Sequence, residues 1–178
     1  MTVARPTVAD RFGGYARVSI ILHWFSAAAL LFLFLLHDDP VVAVHIGFGF
    51  VLAPVLVARI VWRLSRGFPR VADQRRTLNV ASRLIKLCLL ASVLMLVVTG
   101  FLLIPFSAEP LRVFFLPPLE IPLQPRPRAA QIVGTMHAWT AYILVILVAL
   151  HVADGLKSFL IDENSILRRM LRPVEKGF

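Results

Sequence analysis

Two histidines, His137 and His151, stand fourteen residues apart in a stretch, Ala129–Ala153, that contains no Asp, Glu, Lys or Arg. If the stretch is a helix, they fall within about 40° of one face and about 21 Å apart along the axis. An ionisable residue in so apolar a setting is costly, and its default reading is functional. Neutral imidazole is a good ligand for iron and other first-row metals, so one element would offer two ligands, one near each of its ends. His23 and His45 lie in two further charge-free stretches and are the candidate partners. The plainer alternative is four histidines hydrogen-bonded within a bundle core.

The elements that must position these residues are membrane spans. The chain of 178 residues is 58% hydrophobic and 16% charged, a composition whose natural solvent is the bilayer. Charge-free stretches run over Val18–Leu36, Val41–Ala58, Leu87–Ala108 and Ala129–Ala153. Each approaches or exceeds the about 20 residues that a helix needs to cross the hydrocarbon core. A span must satisfy its own backbone, so an all-α, four-helix membrane bundle is expected, with spans near 18–36, 41–63, 84–106 and 129–156 in one domain over 1–178. Residues 1–17 are polar and the next apolar run ends in Asp38-Asp39-Pro40, so that run reads as a first span and not as a cleaved signal. Sixteen Lys and Arg residues fall on one side of this arrangement and three on the other, which predicts a multi-pass protein with both termini in the cytoplasm. The net charge of +9 is thereby a matter of orientation and not of nucleic-acid binding. The solitary Cys88 excludes an intrachain disulfide, a thiolate cluster and covalent haem attachment through Cys-x-x-Cys-His.

Topology sorts the histidines by depth. His23 on the inner part of span one is level with His151, and His45 on the outer part of span two is level with His137. Two His–His pairs result, each suited to hold a haem iron from opposite sides, which predicts two haems b. Gly47, Gly49 and Gly134 would give a porphyrin clearance, or equally let helices pack closely. His37 is also fourteen residues from His23 and rivals His45, but it abuts Asp38-Asp39-Pro40, where the helix is expected to end. Arg59 lies fourteen residues after His45, with Arg63 one turn on and Arg17 before His23. All three are candidates for haem propionates, and equally for anionic headgroups. Asp154 reads as a helix-end carboxylate, with a hydrogen bond or proton near the inner site as the alternative. Trp24, Trp62 and Trp139 read as interfacial or packing aromatics. The outer connection, Glu109–Arg128, holds six prolines around Phe114, Phe115 and Leu116. It is expected to lie stiffly on the headgroups, or to act as a lid over an outer redox site.

Several of these pieces resemble the bacterial cytochrome b561 family of di-haem, four-helix membrane proteins. They are Leu22-His23-Trp24, His45-x-x-x-Gly49 leading to Arg59-x-x-x-Arg63, Gly100, Met136-His137-Ala138, His151, and Ile166-Leu167-Arg168-Arg169-Met170-Leu171. The resemblance covers essentially the whole chain. It implies haem ligation by the residues at His23, His45, His137 and His151, and electron transfer between a quinone, ubiquinone in some members, and an outer partner. Some members oxidise superoxide and reduce ubiquinone, so an oxidoreductase activity is open. The chain departs from the family at Lys86, where a histidine is frequent, and at Lys157-Ser158, where a histidine pair is frequent near the quinone. Two other functions are compatible with the residues: a cytochrome b anchor for a partner redox protein, and a haem-free transporter or scaffold, for which paired interrupted spans are lacking.

Overall fold

The computed structural model describes residues 17–37, 41–67, 76–114 and 117–160, with backbone alone for 76–78. Outside them lie Arg5, Arg11, Asp38, Asp39, Pro40, Arg70, Arg75, Phe115, Leu116 and everything after Leu160, including the Ile166–Leu171 motif. Four helices follow in order: α1 (Arg17–Leu35), α2 (Val42–Arg66), α3 (Arg76–Ser107) and α4 (Pro127–Leu160). All four are long and apolar enough to span a membrane. The end that carries Arg17, Arg66 and Leu160 is called inner below, and the end that carries His37 and Pro127 outer.

Helix ends differ from the charge-free stretches in an instructive way. α3 starts at Arg76, not near 84, and takes Arg83 and Lys86 into its inner turns. α4 continues through Asp154 and Lys157 to Leu160. With 32 and 34 residues, both exceed a hydrocarbon core of about 30 Å at 1.5 Å per residue. A helix is not obliged to stop at the first charge, because its backbone is satisfied internally and a long side chain can reach the interface. α1 does stop where expected, at Leu35, so His37 lies beyond its last turn. α2 closes on Gly67, whose φ of 71° suits glycine and whose N–H donates to the Arg63 carbonyl. Pro54 sits inside α2 without ending it.

The helices pack as α1 on α2, α2 on α3 and, most extensively, α3 on α4. Leu56 and Ile60 of α2 meet Val93 of α3 and Leu144 of α4 in a buried apolar cluster. Leu144 is seven residues from His137 and seven from His151, so the cluster forms an apolar partition between the two ends of the bundle. Most other large apolar side chains of the helices are exposed, among them Ile21, Leu31, Val61, Leu84 and Ile146. In water that surface would be untenable; in lipid it is what a span presents.

The outer connection is held by the protein itself. Leu111 and Leu119 exchange backbone hydrogen bonds of 3.0 Å in each direction, and the Arg126 N–H donates to the Phe106 carbonyl at 2.8 Å. Phe114 packs edge-on against Phe48 with ring centres 4.5 Å apart. At Gly47 a β-carbon would stand 3.4 Å from the Arg112 carbonyl oxygen and 3.6 Å from the Phe114 ring. The prolines remove helix as an option, and the segment instead folds down onto α2 two residues from His45.

Candidate cofactor sites at the two ends of the bundle

Each end of the bundle brings together one histidine from the α1–α2 half and one from α4. At the inner end the ring centres of His23 and His151 are 6.2 Å apart, with planes inclined at 79°. At the outer end those of His45 and His137 are 6.1 Å apart, inclined at 83°. Imidazole nitrogen binds a first-row metal at about 2 Å, so two rings on opposite sides of one metal have centres about 6 Å apart. Both pairs fit that spacing. Among the described residues no group of three or more His, Cys, Asp or Glu converges to hold a metal ion. Two imidazoles therefore suit a metal whose remaining ligands come from elsewhere, as in a porphyrin.

The surroundings of the outer pair are uncharged hydrogen-bond acceptors. His45 Nδ1 lies 2.7 Å from the Leu33 carbonyl of α1. His137 Nδ1 lies 2.8 Å from the Thr99 hydroxyl of α3, and Gly100 next along α3 allows close approach, with a β-carbon there 3.5 Å from the His137 ring. Gly134, one turn before His137, faces Leu103 of α3, while nothing lies within 4 Å of a β-carbon at Gly49. Gly134 thus belongs to helix packing, and Gly49 has open space beside it.

The inner pair sits among charges. Arg59 Nη2 donates to His23 Nδ1 at 2.9 Å. Arg63 is buried, 5% exposed, and acts electrostatically on His23 together with Arg59. His151 is within electrostatic reach of Lys86, Asp154 and Arg59, and its Nδ1 is buried with no hydrogen-bond partner among the described residues. Asp154 is partly buried and accepts from the Ser82 hydroxyl at 2.7 Å, which joins α3 to α4. It is therefore not the plain interfacial carboxylate that its place near the helix end suggests. Trp62 donates from Nε1 to the buried Ser19 hydroxyl at 2.8 Å, joining α2 to α1, and carries Arg66 over its ring at 4.7 Å.

The sequence candidates separate cleanly. His23, His45, His137 and His151 are brought together as two pairs, and Arg59 and Arg63 lie at the inner one. Arg17 is exposed at the first residue of α1. His37 is exposed beyond α1, with Nδ1 2.5 Å from the Phe34 carbonyl and its ring stacked on Phe34. His45, not His37, stands across from His137. Thr99, the Leu33 carbonyl and Ser82 had no place in the sequence reading. A polar Thr inside an apolar span was the signal available for Thr99; Ser82 lies among charges outside the apolar run, and a carbonyl gives no signal.

A four-helix membrane bundle with a facing pair of imidazoles at each end suits the class of helical membrane haem proteins. The family model described as "Prokaryotic cytochrome b561" matches residues 14–173, and the chain belongs to that family. It is a b-type cytochrome of the bacterial inner membrane, a multi-pass protein of electron transport in contact with lipid. It is 26% identical over 172 residues to the protein named cytochrome b561 homolog 2 of Escherichia coli (strain K12), a match that covers 88% of this chain and 90% of the relative.

Proposed function

We propose that the chain holds two haems b, one between His23 and His151 and one between His45 and His137, and moves electrons across the membrane between a quinone at the inner side and a donor or acceptor at the outer side. The observation that carries the reading is the pair of facing imidazoles at each end, both at the separation that a shared metal requires. Haem b, when bound, supplies a one-electron couple whose potential follows its axial ligands and surroundings. The chain supplies the rest. The four histidines would hold the haem irons, and the cluster of Leu56, Ile60, Val93 and Leu144 would keep water from the space between the pairs. Arg59 and Arg63 provide cationic partners for propionates at the inner end, where a bidentate guanidinium suits a carboxylate. The charge count, sixteen against three, supports cytoplasmic termini and hence a cytoplasmic inner end.

At the proposed quinone side, Lys86 and Asp154 lie within electrostatic reach of His151, and the Ser82 hydroxyl donates to Asp154. Lys86 and Lys157-Ser158 are where the chain departs from the family it resembles, and a quinone carbonyl can accept a hydrogen bond from a lysine as it can from a histidine. Superoxide oxidation coupled to quinone reduction is one activity of this class and is the oxidoreductase reaction to assay. Pyridine haemochrome analysis of purified protein is expected to give two haems b per chain, and the reduced-minus-oxidised spectrum a bis-histidine signal. A folded preparation that takes up no haem b under reconstitution overturns the reading.

A further inference from the structure

We infer that Thr99 is a positioning residue for the outer haem, setting the tautomer and orientation of His137 so that its Nε2 is the nitrogen presented to iron. The inference rests on the haem reading above and concerns a residue on the one helix, α3, that contributes no histidine.

Thr99 is 2% exposed, in the apolar run of α3. Its hydroxyl has one proton to give. The Met95 carbonyl, one turn back, lies 2.7 Å from Oγ1 and the Leu96 carbonyl 3.3 Å, and both can only accept. With its proton committed to its own helix, Oγ1 has lone pairs left for the His137 Nδ1 at 2.8 Å, so that contact is an Nδ1–H donating to Thr99. A neutral imidazole with its proton on Nδ1 has its lone pair on Nε2, which is the arrangement that ligation needs. The facing ring reaches the same state independently, since the Leu33 carbonyl 2.7 Å from His45 Nδ1 can only accept. Both outer imidazoles are thus fixed with Nε2 available, before any metal contributes.

The same hydrogen bond has an electronic consequence. An Nδ1–H held by an acceptor makes the imidazole a stronger donor to iron and favours the oxidised, more positive metal. Thr99 therefore lowers the reduction potential of the outer haem as well as aligning its ligand. Gly100 beside it leaves the ring room to lie against α3.

The test compares Thr99→Val, which keeps the shape and removes the hydroxyl, with Thr99→Ser, which restores it. Haem is titrated into each detergent-purified protein, and the two potentials are followed by redox titration of the haem spectrum. Outer-site haem affinity is expected to fall about 10- to 100-fold in Thr99→Val, with the potential of any outer haem retained shifted upward. Thr99→Ser is expected to recover both values. Inner-site occupancy is the folding control, because it is 14 residues away along α4. Should Thr99→Val destabilise the bundle, the potential of Thr99→Ser against wild type, and of Thr99→Ala loaded at saturating haem, carries the comparison. Unchanged affinity and unchanged outer potential in Thr99→Val, with wild type binding two haems, overturn the role of Thr99 alone. A wild-type chain that binds no haem overturns the haem reading and this inference with it.

Discussion

The two ends of this bundle present the same pair of imidazoles in opposite electrostatic settings. At the outer end each Nδ1 faces an uncharged oxygen, Leu33 carbonyl for His45 and Thr99 hydroxyl for His137. At the inner end His23 Nδ1 faces the Arg59 guanidinium and His151 Nδ1 has no hydrogen-bond partner among the described residues. A guanidinium can only donate, so His23 there keeps its proton on Nε2. Ligation through Nε2 requires that proton to move to Nδ1 and Arg59 to turn toward another acceptor, for which a propionate is suited. The outer pair is preorganised for metal by hydrogen bonds, and the inner pair is arranged for charge. The lesson is that equal ring spacing does not make equal sites: the partners of the second nitrogen decide how each pair responds to a cofactor.

Breaking the pairs one at a time gives the largest effect. His137→Ala is expected to reduce the haem content from two to one and to remove the outer signal from the reduced-minus-oxidised spectrum, and His151→Ala to do so for the inner. Loss of both haems from either variant would mean that the ends are not independent sites. A smaller effect follows from removing the charge that distinguishes them. Arg59→Gln is expected to lower the inner potential by on the order of tens of millivolts, because a cation beside the metal favours its reduced form. The outer potential should hold within error in the same redox titration. Equal shifts at both ends would dissolve the distinction drawn here.

Smaller again is the cost of loosening the inner end mechanically. Ser82→Ala removes the hydroxyl that donates to Asp154 and is expected to cost about 1–2 kcal/mol, read from thermal denaturation in detergent. Haem stoichiometry should stay at two. The smallest effect expected is none. His37→Ala should leave both haems and both potentials unchanged, and loss of the outer haem in that variant would reinstate His37 as the rival of His45.

Much of this arrangement is legible in the sequence, for physical reasons. The spans are visible because charge is so costly in hydrocarbon that its absence over about 20 residues marks a helix. The pairing of His137 and His151 on one face is visible because helical geometry is rigid over fourteen residues. His45 over His37 was favoured by Asp38-Asp39-Pro40, and α1 does end at Leu35. What stayed hidden depends on how one helix is rotated against its neighbour. Thr99 meets His137, and Ser82 meets Asp154, only because α3 presents that face to α4, and side-chain packing sets that rotation. Backbone acceptors such as the Leu33 carbonyl have no letter in a sequence at all. Charge-free runs mark the apolar part of a helix and not its ends, so the inner turns of α3 and α4 extend beyond the spans near 84–106 and 129–156, and the contact of the outer connection with Gly47 and Phe48 has no signature in its prolines.

Each imidazole pair takes one ring from the first helical hairpin and one from the second: His23 and His45 come from α1 and α2, and both opposing rings from α4. A slip of α4 by one residue would turn both of its histidines away by about 100° together. The register of that one helix thus decides whether a ring faces a ring at either end, and the two sites are gained or lost on a single degree of freedom.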